Sequence, residues 1–338
     1  MLLHVLNLEV RSRSLRVRPW IERLYAFNDL RAVLPHRASL LTLEIERVDS
    51  AHAMPITVPA SAVFAETNLC TGRCYYDAGR FYSTSETAYA HVMEYDLDAN
   101  VIRANVGGIY LENPQAVVSN MIRPILQSFI LPFYGLKTLH GAVLSKGAHT
   151  TLLLGAGGAG KSTTATQMAH DGYDLISDDG PFFTLDGSNA YAMSSLDYLH
   201  VTDNTLNMFP GLARHVVGGR DHREKFAVAR AGLQRSDAWR RPLTVDTVVK
   251  IRRGPVAEPR VTPYDKRALM QELLTESMTV FRPAAFRDRR STFTAYSDFI
   301  FEIVAGVVRG AEVYELEFAN HHLSQVPELI ERLSTHGR

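Results

Sequence analysis

Hydrophobic and polar positions alternate along the first hundred residues of the chain. Leu43, Ile45 and Val48 are set among polar residues, and residues 101–106 resume the alternation after an Asp-Ala-Asn turn. A period of two is typical of strands that bury one face, and aspartate and asparagine are common in the turns between strands. The pattern predicts a β-rich N-terminal accessory lobe over residues 1–113.

From residue 114 the spacing of the apolar positions changes to three and four, which is typical of a helix with one buried face. This spacing predicts a connecting helix over residues 114–136, which would pack the N-terminal lobe against the remainder of the chain. The apolar positions that follow the helical spacing are Val117, Val118, Met121, Ile122, Ile125, Leu126, Phe129 and Ile130.

The remainder, residues 137–338, begins with a strand, a glycine-rich loop, a helix and a second strand. The first strand, Thr-Thr-Leu-Leu-Leu at residues 150–154, precedes the loop, residues 161–170 form the helix, and residues 173–177 form the second strand. Gly172 suits the left-handed backbone that ends many helices. This order predicts an α/β fold in which helices cover a sheet. Further predicted elements are a hairpin of residues 182–185 and 190–192, strands at 244–251 and 313–318, and a closing helix at 323–333.

The glycine-rich loop, residues 155–162, satisfies the phosphate-binding motif G-x-x-x-x-G-K-[ST] in full, between a strand and a helix. Its glycines allow successive backbone N–H groups to face phosphate oxygens, and the positive end of the helix adds to the attraction. Lys161 is expected to reach the β- and γ-phosphates of ATP, and the Ser162 hydroxyl to bind Mg²⁺. The residues predicted to hold the nucleotide are Gly155, Gly157, Gly158, Ala159, Gly160, Lys161, Ser162 and Thr163.

Two adjacent carboxylates, Asp178 and Asp179, follow the second strand of this segment. Parallel strands that flank one helix end at the same edge of a sheet, so the pair is expected to face the glycine loop. A carboxylate at that edge can coordinate Mg²⁺ or accept the proton of an attacking hydroxyl. Because adjacent residues of a strand point to opposite faces, the two aspartates are expected to divide these tasks. The structural alternative is a solvated Asp-Asp-Gly turn.

Composition excludes several classes of function. The chain has 36 basic and 36 acidic residues, so no overall charge attracts nucleic acid or an anionic membrane. The longest apolar stretch, residues 121–136, is interrupted by polar residues and falls short of the ~20 residues that cross a bilayer. Cys70 and Cys74 are too few for a disulfide framework or a zinc site. Glu9 stands where a signal peptide is apolar, so a cytoplasmic location is expected.

Residues 137 to about 184 resemble the HPr serine kinase group, whose kinase domain is similar to that of phosphoenolpyruvate carboxykinase. The resemblance is carried by Leu-His-Gly-Ala-Val at 139–143, the glycine loop, Gly172 and Ser-Asp-Asp at 177–179. It implies a P-loop kinase core of this type and a serine hydroxyl as the acceptor of a phosphoryl group from ATP. It also favours a homo-oligomer.

The resemblance further implies roles for individual side chains. Asp178 would be the general base that takes the proton of the acceptor hydroxyl, while Asp179 would lie close to the metal ion with Ser162. His140 would lie beside the phosphates, with a histidine that only fills the start of a strand as the alternative interpretation. Lys225 belongs to a basic stretch similar to the one that such kinases hold over the phosphates, where its charge would stabilise the transferring group. The same stretch contains Arg220 and Arg223, and a solvated surface is the alternative interpretation of all three.

The chain departs from the HPr kinases in two respects that bear on the acceptor. It lacks the downstream signature by which those kinases engage HPr, and its N-terminal lobe differs from theirs. Compact kinases that modify ribosomally made peptides, including those that phosphorylate the C-terminal serine of lasso precursor peptides, are similar in size and layout. The predicted partner is a peptide or small protein that carries an acceptor serine. A carboxylate or phosphate of that partner would suit an arginine cluster, with a solvated loop as the alternative: Arg282, Arg287, Arg289 and Arg290.

Three functional hypotheses therefore remain open. They are a peptide or protein serine kinase, a small-molecule kinase or carboxykinase-like enzyme, and a nucleotide-binding regulator that transfers no phosphate. Transfer is favoured over regulation because Lys161, Ser162 and Asp178 supply a full set of catalytic roles. An open groove would favour a peptide substrate, and a closed cavity would favour a metabolite.

Overall fold

Four β-sheets together with α- and 3₁₀ helices make up the described residues of the structure, a computed structural model of mixed α/β class. Among the described residues, no helix is long and apolar enough to cross a membrane. These residues group into two compact units, one from positions 2–135, 275–278 and 290–299, the other from 136–274 and 300–336. The structure describes residues 2–3, 6–12, 40–47, 56–65, 72–86, 90–117, 121–123, 127, 131–195, 198–220, 225–230, 233, 236, 238, 241–278 and 290–336.

The first unit is built on an eight-stranded sheet with the strand order β1-β2-β3-β8-β7-β6-β5-β4. Strand β3 pairs in parallel with both β2 and β8, and the other neighbours are antiparallel. The strands are β1 Leu2–Leu3, β2 Leu6–Ser12, β3 Leu40–Arg47, β4 Val63–Ala65, β5 Arg73–Asp77, β6 Arg80–Ser85, β7 His91–Asp96 and β8 Val101–Val106.

The alternation read from the sequence is present in this sheet. Leu43 and Ile45 of β3 are buried, and Glu44 between them is half-buried. Val48 lies outside the described residues. Residues 101–106 form β8 after a turn, as predicted. The N-terminal part of the chain is therefore β-rich, while the proposed division into lobes at residues 113 and 136 stays a prediction.

The predicted connecting helix is described only in part. The chain forms two short helices, α1 Ile109–Glu112 and α2 Pro114–Val117, followed by helical residues 121–123 and a 3₁₀ helix Leu131–Tyr134. The intervening positions of the predicted helix lie outside the described residues. Val117, Met121 and Ile122 are fully buried, which agrees with the apolar face expected from their spacing.

The second unit contains the predicted order of strand, loop, helix and strand, but two strands, at residues 137–138 and 142–146, precede it. The helix covers residues 161–170 as expected, and Gly172 adopts φ of 98° just after it. From residue 137 the elements are β9 Lys137–Thr138, β10 Ala142–Lys146, β11 His149–Leu154, α3 Lys161–His170, β12 Asp174–Ser177, β13 Phe182–Asp186, β14 Asn189–Met193, β15 Tyr198–Val201, α4 Asp203–Met208, β16 Val216–Arg220, β17 Phe226–Ala229, β18 Leu243–Thr244, β19 Thr247–Arg253, β20 Arg260–Pro263, α5 Lys266–Met278, α6 Arg290–Gly310, β21 Glu312–Phe318 and α7 Val326–His336, with 3₁₀ helices at Pro210–His215 and Asn320–Gln325.

A six-stranded sheet with the order β12-β10-β11-β19-β21-β20 forms the centre of this unit. Strand β10 is antiparallel to both β11 and β12, so β11 and β12 run in the same direction without being neighbours. The two strands that flank α3 are therefore separated in the sheet by β10, and both end at the same edge as expected. Strands β19 and β21 also run parallel to β11. Four strands of the sheet therefore end at one edge.

Helix α3 packs its buried face against the central sheet. Ala165 and Met168 of the helix join Leu144 of β10 and Leu153 of β11 in a continuous apolar core that also includes Ile330 of α7. All five side chains are almost fully removed from water. Burial of this kind fixes the start of α3, and with it Lys161, relative to the end of β11.

Two smaller sheets complete the second unit. One has the order β18-β14-β13-β9, and its β13–β14 pair is the hairpin predicted from the sequence. The other has the order β15-β17-β16 and contains His200 on β15. The predicted strands at 244–251 and 313–318 correspond to parts of β18 and β19 and to β21, and the predicted closing helix to a 3₁₀ turn followed by α7.

Candidate active site

One edge of the six-stranded sheet gathers the residues predicted to carry the chemistry. The acidic pair follows β12, His140 precedes β10, the glycine loop follows β11, and Arg253 ends β19. These segments line a single cavity of about 750 Å³, which is within the ordinary range for a small-ligand site. The edge orders them as acidic pair, histidine, glycine loop and arginine.

The glycine loop depends on glycine at both of its ends. Gly155 has φ of 154°, and a Cβ there would lie only 2.8 Å from the carbonyl oxygen of Ile251 on the neighbouring strand β19. Gly160 has φ of 87°, caps α3 in the left-handed conformation, and packs directly against the guanidinium of Arg253. A side chain at either position would be strained or would collide. The loop is therefore held close to β19 and turned into the start of α3.

Lys161 is the first residue of α3, and only 8% of its surface is exposed. Its Nζ donates hydrogen bonds to the carbonyl oxygens of Gly155, at 2.7 Å, and Ala156, at 3.2 Å. The ammonium therefore lies over the opening of the loop and lines the cavity. A phosphate chain bound by the loop would meet this charge at the place where phosphoryl transfer needs it.

Ser162 and Asp178 are joined by a hydrogen bond, in which the serine Oγ donates to Oδ1 of the aspartate at 3.0 Å. The other oxygen of Asp178 accepts the backbone N–H of His200 at 3.2 Å. Asp178 is 2% exposed, and this burial, reinforced by the charge of Asp179, raises its pKa. Lys225, the His200 N–H and the Ser162 hydroxyl oppose the shift without cancelling it. A carboxylate of raised pKa in a cavity is suited to proton transfer.

Asp179 adopts φ of 52°, a left-handed conformation that is uncommon outside glycine. Strand β12 ends at Ser177, so this turn replaces the strand geometry that would send adjacent side chains to opposite faces. Both carboxylates consequently line the same cavity. Asp179 Oδ1 lies 3.3 Å from Nδ1 of His140, and Oδ2 lies 3.8 Å from Nδ1 of His200. Both aspartates therefore face the glycine loop as expected, although the alternation of a strand does not apply at Asp179, and the division of tasks between them stays a prediction.

The donor set of this corner suits magnesium. The Ser162 hydroxyl and the carboxylates of Asp178 and Asp179 are hard oxygen ligands, and Mg²⁺ in phosphate sites is typically held by one or two carboxylates together with the substrate phosphates. These three side chains are the ones that could hold the ion.

The remaining predicted residues divide into those that line the cavity and those that lie elsewhere. Thr163 and Lys225 line it, and the Thr163 hydroxyl lies 2.9 Å from that of Thr205 on α4. Arg220 ends β16, and Arg290 begins α6. Outside the described residues are Arg223, Arg282, Arg287, Arg289 and Cys70.

Two cavity residues had no signal in the sequence analysis. His200 is 1% exposed and contacts the acidic pair through both its backbone N–H and its ring. Arg253 stands in a run of strand residues and looks there like one of many dispersed arginines. Both residues reach the site through strand pairing with distant segments. To identify them as site residues requires knowledge that β15 and β19 lie beside the glycine loop in the folded structure.

Comparison with known proteins adds a distant structural likeness. No protein-family model and no curated protein sequence matches the chain. Among solved structures, the Hpr(Ser) kinase/phosphatase from Coxiella burnetii matches with 12% sequence identity over 60% of this chain and 99% of that chain, at a TM-score of 0.30.

Proposed function

We propose that the protein is an ATP-dependent phosphotransferase with a P-loop kinase core, and that its acceptor is a serine hydroxyl of a peptide or small protein. The observation that carries the proposal is the hydrogen bond from Ser162 to Asp178, which joins the phosphate-loop serine to a buried carboxylate within one cavity. A glycine turn that only capped a helix would have no use for a buried acidic pair at that distance.

In the proposed reaction, the glycine loop and Lys161 hold the phosphate chain of ATP. The acceptor oxygen attacks the γ-phosphorus, the new O–P bond forms as the bond to the β–γ bridging oxygen breaks, and ADP leaves. The proton of the acceptor hydroxyl passes to Asp178, whose pKa is raised by burial and by Asp179. Lys225, at the cavity wall, adds positive charge beside the transferring group.

Magnesium supplies charge neutralisation on the phosphate oxygens when it is bound. We assign Ser162 and Asp179 to the ion. His140 lies beside Asp179 and orients that carboxylate within the cavity. The bond from Ser162 also favours a second division of tasks, in which Asp178 belongs to the metal side and Asp179, between two histidines, takes the proton. Nucleotide binding by Asp178→Asn distinguishes the two, since loss of Mg-ATP affinity would support the second.

The test of the proposed function is incubation of the protein with Mg-ATP and a library of serine-containing peptides, with mass spectrometry for added phosphate and a count of ADP released. We expect phosphate on serine, lost in Asp178→Asn. A matched control is Asp174→Asn. Asp174 lies on the same strand, but its carboxylate accepts hydrogen bonds from Ser236 and does not line the cavity. ADP release without labelled peptide would indicate a metabolite acceptor. Tight ATP binding without turnover on either class would contradict transfer and favour a regulator.

A further inference from the structure

Arg253 lies on the side of the glycine loop opposite the acidic pair. The order of strands at the sheet edge is β12, β10, β11, β19, so the end of β19 and the end of β12 flank the loop from its two sides. The guanidinium of Arg253 packs against the backbone of Gly160, immediately before Lys161. It also lines the cavity that contains the acidic pair.

Within the described part of the chain, the guanidinium of Arg253 is held in place without an anionic partner. Its plane lies near the ring of Phe318, with 5.7 Å from Cζ to the ring centre, and its buried Nε has no hydrogen-bond partner among the described residues. Burial lowers the pKa of Arg253, which remains a cation at any physiological pH. Its neighbour Arg252 differs in each respect, because it is well exposed and forms an ion pair with Glu317 at 3.0 Å. A half-buried cation with unused donors is a site for an anion.

A second cavity, of about 730 Å³, begins at Arg253 and runs away from the acidic pair. Its walls are residues 253–257, at and after the end of β19, and residues 319–321, which follow β21 into the start of a 3₁₀ helix. Arg253 and Asn320 line both this cavity and the one that contains the acidic pair. The two cavities therefore meet at the arginine.

We propose that Arg253 binds the nucleoside-side phosphates of the donor and that the adjoining cavity of residues 253–257 and 319–321 receives the nucleoside. This inference rests on the proposed function and fixes the direction of the nucleotide. The phosphoryl group to be transferred lies at Asp178, so the chain of phosphates crosses the glycine loop and leaves it on the far side. Arg253 is the cation at that exit, and its fork geometry suits phosphate oxygens. The acceptor then enters from the side of His140 and Lys225.

The first test compares Arg253→Ala with the matched control Arg252→Ala by calorimetric titration of ADP and ATP in the presence of Mg²⁺. We expect Arg253→Ala to weaken both nucleotides about 10- to 100-fold, the usual effect of losing a charge-assisted contact. Arg252→Ala should bind both as the wild type does. Unchanged ADP affinity in Arg253→Ala would overturn the proposal, and a loss confined to ATP would move the arginine to the γ-phosphate.

A second variant tests the cavity and does not depend on the folding of Arg253→Ala. Ala257 is exposed at the cavity wall, so Ala257→Trp fills the space without disturbing a core. We expect it to weaken ATP at least about 10-fold and to leave the binding of inorganic tripolyphosphate unchanged. Equal affinity of this variant and the wild type for ATP would overturn the nucleoside assignment. A wild-type protein that binds no nucleotide would instead overturn the proposed function, so the two failures are distinguishable.

Discussion

The two units of the molecule treat acidic residues in opposite ways. On the sheet of the first unit, Glu94 lies 3.0 Å from Arg80 and 3.4 Å from Arg103, and Asp96 lies 3.3 Å from Arg80. Burial alone would raise the pKa of Asp96, but the N–H groups of its turn and the charge of Arg80 together lower it. Arginine side chains therefore neutralise these largely buried acids.

In the second unit, the acidic pair lies beside the glycine loop. After burial, the largest influence on the pKa of Asp178 is the charge of another carboxylate, Asp179. The pKa of Asp178 is raised in consequence. The comparison indicates that an acidic cluster is suited to proton transfer when its surroundings raise its pKa. A cluster whose charge is neutralised by neighbouring cations has a structural role.

Lys161→Ala should have the largest effect on turnover. It removes the ammonium that lies over the loop, and we expect phosphoryl transfer to fall about 10³- to 10⁵-fold, as when a phosphate-binding cation is lost from related chemistry. The check is ADP release with Mg-ATP. Lys146→Ala is the matched control, because Lys146 pairs with Glu331 on the outside of the same unit and should leave the rate unchanged. Near-normal turnover of Lys161→Ala would contradict the phosphate-loop assignment.

Asp178→Asn should lower turnover about 10²- to 10⁴-fold, the usual contribution of a general base. Asparagine keeps an acceptor oxygen for Ser162 or for the His200 N–H, so the fold and the nucleotide affinity should persist. Single-turnover kinetics at saturating Mg-ATP separates the chemical step from binding. A variant that transfers phosphate at the wild-type rate would exclude Asp178 from proton transfer.

Asp179→Asn should shift the magnesium dependence. Loss of one carboxylate from the oxygen donor set should raise the Mg²⁺ concentration needed for half-maximal turnover about 10- to 100-fold. The measurement is a magnesium titration of turnover at fixed ATP. An unchanged titration would refute a metal role for Asp179. Loss of turnover at every magnesium concentration would instead support it as the residue that takes the proton.

Stability should depend on pH through Asp178. Burial and the charge of Asp179 raise its pKa in the folded protein above the usual 3.8, so the folded state binds this proton more tightly than the unfolded chain does. The free energy of unfolding therefore falls as pH rises from 3.8 through the raised value. Asp178→Asn removes this dependence. As pH rises through that range, the unfolding temperature of the variant should therefore increase relative to that of the wild type. A difference between the two proteins that is constant with pH would refute the burial argument.

The smallest effect belongs to the first unit. Arg103→Ala removes exposed ion pairs with Glu44 and Glu94 and should lower the free energy of unfolding by about 1 kcal/mol or less. Turnover should not change. Chemical denaturation and the ADP assay check both parts. A large loss of turnover in this variant would contradict the claim that the neutralised acids of the first unit take no part in turnover.

Local features of the second unit were predictable from the sequence, and features that depend on strand order were not. The strand, loop and helix around Lys161 follow from an apolar run, glycine spacing and helical periodicity, all within some twenty residues. The hairpin of β13 and β14 likewise has its turn in the sequence between its strands. In contrast, the insertion of β10 between β11 and β12 is decided by pairing across the sheet, which leaves no local pattern.

The same distinction holds within the candidate site. Gly155, Lys161, Ser162 and the acidic pair belong to short motifs, so their types and spacing predicted the location of the site. The left-handed backbone at Asp179 was not foreseen, because aspartate carries no signal as strong as glycine for that conformation. His200 and Arg253 arrive on strands that are far away in sequence.

The most direct measurement is a crystal structure with Mg²⁺ and a non-hydrolysable ATP analogue. We predict the β-phosphate within the glycine loop against Lys161, the γ-phosphate toward Asp178, and the nucleoside on the Arg253 side. A nucleotide bound with its γ-phosphate toward Arg253, or outside the loop altogether, would contradict the central claim that this sheet edge is a phosphoryl-transfer site with Asp178 at its reactive end.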